Sequence, residues 1–179
     1  MEQSEIKGTV LLTQEQIWNR AKELGKEISN DFAGEELILV GTLKGAVVWM
    51  ADLMKTITLD TKIDFISASS YGSSTVSSGK VKIKKDIELD IEGKNVLIIE
   101  DIIDTGNTLK YLKEYFKEKK AKCVKICTLL DKPSRRTVDI KGDYVGFPIE
   151  DLFVIGYGLD YDQKYRNLPY ISYLDNYED

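Results

Sequence analysis

Histidine is absent from this chain of 179 residues, and only two cysteines occur in it. Without histidine, Ser–His and Cys–His catalysis are excluded, so any proton transfer near neutral pH needs a carboxylate, a lysine, a tyrosine or water. Cys123 and Cys127 lie in one apparent strand, about 13 Å apart at about 3.3 Å per residue, which is too far for a disulfide. With no further cysteine and no histidine, the chain lacks the ligands for a zinc site. We therefore expect two core thiols in a reducing compartment.

Long apolar runs and an excess of basic charge are also missing. No run approaches the roughly 18 residues that a membrane helix needs, and the polar N-terminus lacks the apolar segment of a signal peptide. We therefore expect a cytoplasmic protein with no membrane partner. Lys and Arg number 25 against 30 Asp and Glu, a net charge of −5. This balance argues against broad nucleic-acid binding, which favours a basic surface.

Apolar periodicity predicts alternating helices and strands in a single domain, residues 1–179, with no linker or repeat. Predicted helices cover 14–31, with Thr13 as N-cap, and 105–119. Residues 41–46 open a third predicted helix, which continues to about residue 55. Predicted strands cover 36–40, 60–70, 81–87, 96–99, 122–130 and 143–147. This alternation favours an α/β fold with a mostly parallel sheet and helices on both faces. Between two strands, the small polar residues 71–80 predict a mobile loop.

The most informative segment is 96–108, Val-Leu-Ile-Ile-Glu-Asp-Ile-Ile-Asp-Thr-Gly-Asn-Thr. Its four apolar residues indicate a buried strand that runs into Glu100 and Asp101, then Asp104, before a helix begins. Loop amides and a helix N-terminus favour a phosphate, and carboxylates suit polyol hydroxyls, a metal or a proton transfer. An Asp-Thr-Gly turn could also merely cap the helix. However, two adjacent carboxylates repel each other unless something uses them. The segment therefore predicts a site for a phosphorylated sugar.

Two shorter signals are weaker on their own. Leu43-Lys44-Gly45 lies between a strand and a helix, where its amides could hold an anion or simply form an ordinary loop. Lys132 closes a buried strand, where it could be a solubility residue. Rossmann and P-loop glycine motifs are absent from the sequence.

Segment 96–108 resembles the motif that binds 5-phosphoribosyl 1-pyrophosphate (PRPP) in type I phosphoribosyltransferases. Further strings make the chain similar to the hypoxanthine-guanine branch over about residues 6–169: Ser70-Tyr71-Gly72, Lys132, Phe153-Val154-Ile155-Gly156-Tyr157, and Leu159-Asp160-Tyr161 followed by Arg166. The resemblance implies the type I fold, a mostly parallel sheet flanked by helices. It also implies a core of about 10–150 and a small hood formed by about 1–9 and 151–179.

The resemblance further implies an enzyme, a homodimer or homotetramer, that transfers the phosphoribosyl group of PRPP to N9 of hypoxanthine or guanine with Mg²⁺. Glu100 and Asp101 would hold the ribose hydroxyls and the metal, and Asp104 would take the N7 proton of the purine. Ser70 and Tyr71 would help a closing loop to exclude water. The 5′-phosphate would be held by Thr105, Gly106, Asn107 and Thr108.

Pyrophosphate and purine would be bound by residues outside this motif. Leu43, Lys44, Gly45 and Arg166 would hold pyrophosphate, with a cis peptide at Leu43–Lys44, and Asp160 would bind magnesium. The purine would be bound by Lys132 at its 6-oxo group, by Phe153 stacking on its face and by the backbone of Val154.

Three alternatives remain open at the level of sequence. The first is a PRPP-sensing RNA-binding regulator of pyrimidine attenuation, which shares the motif, although Asp104, Lys132, Phe153 and the net charge count against it. The second is a xanthine-preferring enzyme, and the third is a purely structural homologue. The ratio of hypoxanthine to guanine use does not follow from the sequence.

Overall fold

The computed structural model describes residues 8–70 and 81–174. Within these residues the strands are β1 (Gly8–Leu12), β2 (Leu37–Thr42), β3 (Thr61–Ser70), β4 (Val81–Lys85), β5 (Asn95–Ile103), β6 (Cys123–Asp131), β7 (Tyr144–Pro148), β8 (Val154–Ile155) and β9 (Ile171–Leu174). The helices are α1 (Gln14–Asp31), α2 (Val47–Met54), α3 (Asn107–Glu118) and a short 3₁₀ helix (Pro133–Arg135).

Six strands form the central sheet in the order β4-β3-β2-β5-β6-β7, and all neighbours except β3 and β4 are parallel. All six residues of β2 and the first five of β5 are buried, as expected for strands covered on both faces. Gly41 pairs with Ile99, and Ile103 pairs with Asp131. The carboxyl ends of β2, β5 and β6 therefore meet at one edge of the sheet.

Alternate residues of the central strands contact helices on opposite faces, as the period of two requires. Leu97 and Ile99 of β5 pack with α1 and α2, whereas Val96 and Ile98 pack with α3. Thr13 forms the predicted capping box with Gln16 at the start of α1. The predicted α/β architecture, with a mostly parallel sheet between helices, is confirmed.

A second sheet of three short strands, in the order β1-β9-β8, was not predicted from the sequence. It joins the two ends of the described chain, because Gly8 pairs with Leu174. β8 has only two residues, Val154 and Ile155. Neither its length nor its period distinguishes such a strand from a loop.

Several predicted boundaries shift in the structure. α3 begins at Asn107 rather than at 105, because Gly106 takes a left-handed conformation with φ of 85°. α2 begins only at Val47. Both cysteines are free thiols, as predicted, but only Cys127 lies in the core, because Cys123 at the start of β6 is partly exposed. Burial raises the pKa of the Cys127 thiol. Among the described helices, none combines the length and apolarity that a membrane span needs.

The buried carboxylate of Asp64 ties β3 to the connection between β4 and β5. Its Oδ2 accepts hydrogen bonds from the backbone N–H groups of Glu88 at 2.7 Å and Leu89 at 2.9 Å, and its Oδ1 accepts one from Phe65 at 2.7 Å. Burial favours the neutral acid, but these donors and the charge of Lys85 outweigh it and lower the pKa of Asp64 below 3.8. The ionised form therefore stabilises the fold above that value.

We predict that Asp64→Asn lowers the free energy of unfolding by about 1–3 kcal/mol at pH 7, because an amide cannot serve all three donors as an acceptor. This deficit should begin to shrink as the pH falls below 3.8, where Asp64 of the unfolded chain becomes protonated, and should disappear below the lower pKa of the native state. Urea unfolding at several pH values measures it, with the exposed Asp60→Asn as control. A stability equal to that of the wild type at pH 7 would contradict the prediction.

Candidate active site

The carboxylates Glu100 and Asp101 lie on β5 itself, which continues to Ile103 rather than ending at 99. The hydroxyl of Thr42 on β2 donates to Oε1 of Glu100 at 2.6 Å. Oδ1 of Asp101 accepts the backbone N–H of Ile102 at 2.9 Å. Burial and the adjacent charge of Asp101 raise the pKa of Glu100 well above its ordinary value. The pair is thus a concentration of poorly compensated negative charge.

The loop 105–108 lies beside these carboxylates at the N-terminus of α3. Asn107 donates through Nδ2 to the hydroxyls of Thr105 at 3.3 Å and Thr137 at 3.2 Å, which braces the loop against the segment after the 3₁₀ helix. The residue between them is Gly106, where a Cβ would lie 2.3 Å from Cγ2 of Ile140. The first-turn N–H groups of a helix lack intrahelical partners and attract anions.

A cavity of about 240 Å³ lies between Glu100 and this loop. Its lining residues come from β3, β5, the loop and α3: Ala68, Glu100, Ile102, Ile103, Asp104, Thr105, Gly106, Thr108 and Leu109. Residues that carry carboxylates and residues of the loop at the start of α3 therefore line one cavity, which is the combination predicted from the sequence.

The loop Leu43–Gly45 approaches the same carboxylates from β2, and its Leu43–Lys44 peptide is cis. A Cβ on Gly45 would lie 1.6 Å from Oδ2 of Asp101. A Cβ on Gly158 would lie 2.0 Å from the carbonyl oxygen of Gly45. A side chain at position 158 would collide with backbone, and one at position 45 would displace the carboxylate of Asp101, so the loop packs closely against both β5 and the segment that contains Gly158.

Asp160 and Arg166 lie in that segment and are paired with each other. Nη2 of Arg166 is 2.7 Å from Oδ1 of Asp160, and its Nη1 donates to the carbonyl oxygen of Gly158 at 2.6 Å. Nζ of Lys44 donates to Oε1 of Gln163 at 3.1 Å, which links the loop 43–45 to the turn between the paired residues. Both predicted ligand-binding residues are thus close to the loop, with their charges neutralised by one another.

Lys132 directly follows β6, and Phe153 and Val154 lie at the start of β8. The backbone N–H of Lys132 donates to the carbonyl oxygen of Ile103 at 2.9 Å, which sets the lysine beside the end of β5. The ring of Phe153 meets Tyr161 edge to face, with centroids 5.7 Å apart. Val154 is buried in β8.

Asp104 follows β5 and is half exposed. Nε of Arg135 lies 3.3 Å from its Oδ1, and Arg136 donates to its backbone carbonyl oxygen while pairing with Asp131. Neither arginine was predicted from the sequence to belong to the site. The pair Arg135-Arg136, three residues after Lys132, was the signal that could have indicated them.

Other contacts of the site had no sequence signal or lie outside the described residues. The contact between Thr42 and Glu100 depends on the register of two strands. Ser70 ends β3, while Tyr71 and the predicted mobile loop 71–80 fall outside the described residues. Across residues 8–70 and 81–174, no three His, Cys, Asp or Glu side chains form a group that could hold a metal ion.

Comparison with known proteins supports the resemblance that the sequence motifs indicated. The family model described as the phosphoribosyl transferase domain matches residues 9–162. The hypoxanthine-guanine phosphoribosyltransferase of Bacillus subtilis is 55% identical over 165 residues, which cover 92% of each chain. The enzyme of the same name from Streptococcus thermophilus is 54% identical over 92% of each chain.

Solved structures show the same likeness. A hypoxanthine phosphoribosyltransferase from Staphylococcus aureus superimposes with a TM-score of 0.91 at 49% identity, covering 97% of this chain and 96% of that one. A hypoxanthine-guanine phosphoribosyltransferase from Bacillus anthracis, with HEPES in its active site, gives a TM-score of 0.90 at 53% identity, covering 94% and 99%. The expected type I phosphoribosyltransferase fold is confirmed. The chain belongs to the phosphoribosyl transferase family, in its hypoxanthine-guanine branch.

Proposed function

We propose that this chain is a purine salvage enzyme that transfers the 5-phosphoribosyl group of PRPP to N9 of hypoxanthine or guanine. The products are IMP or GMP and pyrophosphate. The observation that carries the proposal is the meeting of Glu100-Asp101, the loop 105–108 and Lys132 at one edge of the sheet, in a chain 55% identical to a relative named for this reaction. Carboxylates, anion-binding amides and an ammonium group match the ribose, phosphate and oxo groups of these substrates.

PRPP fits along the carboxyl ends of β2 and β5. The amides and hydroxyls of 105–108 bind the 5′-phosphate. The carboxylates of Glu100 and Asp101 bind the ribose 2′- and 3′-hydroxyls. The backbone of the loop 43–45 binds pyrophosphate, and Arg166 binds it as a bidentate partner. The contact of Gly45 with Asp101 supports this order, because it sets the pyrophosphate loop directly beside the ribose carboxylates.

The donor set suits magnesium, which usually takes one or two carboxylates together with substrate oxygens and water. Glu100 and Asp101 supply hard oxygen donors, and the raised pKa of Glu100 reflects negative charge that a cation would compensate. Asp160 is already paired with Arg166, so we propose that it contacts the ion through water. When bound, the ion would neutralise charge on the departing pyrophosphate.

The purine lies between Lys132 and the β8 segment. The ammonium group of Lys132 donates to the 6-oxo oxygen, Phe153 stacks on the ring and the backbone of Val154 contacts the purine edge. Adenine is rejected because its 6-amino group is a donor and offers the ammonium group of Lys132 no acceptor.

During transfer, the bond from C1′ to pyrophosphate breaks as purine N9 attacks, and the sugar passes through an oxocarbenium-like state. Asp104 takes the N7 proton as N9 becomes substituted, a role that a chain without histidine must give to another base. Ser70, Tyr71 and the loop after them close over pyrophosphate to exclude water, which would otherwise hydrolyse the cationic centre.

The remaining expectations are part of this proposal. We propose a cytoplasmic homodimer or homotetramer, supported by the two free thiols and by the exposed apolar residues Trp18, Val47 and Met54. The pairing of β1 with β9 supports a hood built from about 1–9 and 151–179 on a core of about 10–150. The alternative of an RNA-binding regulator is less well supported. The net charge of −5 disfavours RNA binding, and such a protein has no purine for Lys132 and Phe153 to contact.

One assay tests the whole proposal. The protein is incubated with PRPP, Mg²⁺ and each of hypoxanthine, guanine, xanthine, adenine and uracil, and nucleotide formation is followed. We expect IMP and GMP, little product from adenine or uracil, and loss of activity with a chelator that excess Mg²⁺ reverses. If no base gives product, the proposal of an enzyme is wrong, and the chain is better explained as a PRPP-sensing regulator.

We predict that Asp104→Asn lowers kcat by about 10²-fold or more, because an amide cannot accept the N7 proton. Steady-state kinetics at saturating PRPP and hypoxanthine measure it. The matched control is Asp139→Asn, an exposed aspartate of the neighbouring segment, which should keep the wild-type kcat. Near-normal turnover in Asp104→Asn would remove this residue from the mechanism.

Lys132→Ala should reduce the preference for hypoxanthine over adenine, because the variant no longer places a charged donor at the 6-position. The ratio of kcat/KM for the two bases measures this preference. Lys141→Ala, at an exposed lysine, is the control and should keep it. Unchanged selectivity in Lys132→Ala would exclude the lysine from the purine site.

A further inference from the structure

The ammonium group of Lys132 has a partner to which the proposed reaction assigns no role. Its Nζ lies 3.4 Å from Oδ1 of Asp151, between β7 and β8. The side chain of Lys132 is only 11% exposed, whereas that of Asp151 is 48% exposed. In the described part of the chain, Asp151 is the one carboxylate paired with this ammonium group. A nearly buried cation depends on such a partner, because water no longer solvates it fully.

Backbone contacts fix the position of the Cα of Lys132 but not the position of its ammonium group. Its N–H is held by the carbonyl oxygen of Ile103, so its Cα is fixed beside the end of β5. Four rotatable bonds separate that Cα from Nζ, and ordering them costs conformational entropy. The carboxylate of Asp151 selects among these rotamers, because only some of them bring Nζ to its oxygen.

Asp151 is itself oriented by a second cation. Nη1 of Arg135 lies 3.6 Å from its Oδ2, while Nε of the same arginine lies 3.3 Å from Oδ1 of Asp104. The two oxygens of Asp151 therefore face different cations. Along the row Lys132, Asp151, Arg135 and Asp104 the charges alternate in sign, so each group is attracted to its neighbours. This row connects the residue proposed for the 6-oxo group with the residue proposed for N7.

We propose that Asp151 is a positioning residue that directs the ammonium group of Lys132 towards the 6-oxo group of the purine. The inference rests on the proposed function, in which Lys132 contacts that oxygen. An ammonium group has three N–H donors, so one hydrogen bond to Asp151 leaves two for the substrate. The carboxylate and the purine are thus bound at the same time, and Asp151 lowers the entropy that Lys132 loses when the base binds.

A carboxylate near this ammonium could instead compete with the substrate for it. The two roles predict opposite effects when Asp151 is neutralised. Loss of a positioning group weakens binding of the base, whereas loss of a competitor strengthens it. The length of the contact, 3.4 Å, and the exposure of Asp151 favour positioning, because a long, solvated pair leaves the ammonium group able to bind a further acceptor.

We predict that Asp151→Asn raises the KM for hypoxanthine and for guanine about fivefold, the scale of a partly exposed ion pair. The KM for PRPP and kcat should stay within about twofold, because Asp151 pairs with no PRPP-binding residue and reaches the carboxylate of Asp104 only through the exposed pair with Arg135. Asp151→Glu should restore part of the loss. Steady-state kinetics of the full chain measure all four constants. Glu150→Gln, at the adjacent exposed carboxylate, is the matched control and should match the wild type.

The same substitution in a Lys132→Ala background separates this inference from the proposed function. If Asp151 acts through Lys132, Asp151→Asn has no further effect on the KM of the base in that background. A lower or unchanged KM for the base in Asp151→Asn overturns the positioning role, as does a fivefold effect that persists without the lysine. Failure of the proposed function looks different, because Lys132→Ala alone would then leave binding and selectivity of the base unchanged.

Discussion

The backbone of Gly45 lies so close to the carboxylate of Asp101 that a Cβ would come within 1.6 Å of Oδ2, and a Cβ on Gly158 would come within 2.0 Å of the carbonyl oxygen of Gly45. Three segments distant in sequence meet in this contact. The parallel register makes it possible, because β2 and β5 end at the same edge of the sheet. The position of the loop 43–45 between the carboxylate pair and the Asp160–Arg166 segment depends on the absence of these two side chains.

Most charged groups of the site are paired with one another before any ligand arrives. Arg166 is paired with Asp160, and Lys132 with Asp151. A ligand that binds here exchanges one polar contact for another, so the net gain of each contact is modest and a mismatched group is penalised. Glu100 and Asp101 differ, because they lie side by side on β5 and because burial and the adjacent charge of Asp101 raise the pKa of Glu100. Binding of a cation therefore has the most to gain at this pair.

Sequence information was sufficient where a feature is contiguous or periodic. Segment 96–108 contains a strand, two carboxylates, a loop and a helix start in order, and the structure retains that order. It was insufficient where contacts join distant or exposed residues. The pairing of β1 with β9 connects opposite ends of the chain, and the 3.4 Å contact of Asp151 with Lys132 crosses a strand and a loop. Neither contact can be predicted from the local periodicity of the sequence.

A crystal structure of the chain with its proposed product IMP would show whether one edge of the sheet binds phosphate, ribose and purine in a fixed order. We expect the 5′-phosphate on the amides of 105–108 and the ribose hydroxyls on Glu100 and Asp101. We also expect the 6-oxo oxygen within hydrogen-bonding distance of Nζ of Lys132. A phosphate bound at the loop 43–45, or a purine away from Lys132, would contradict this order.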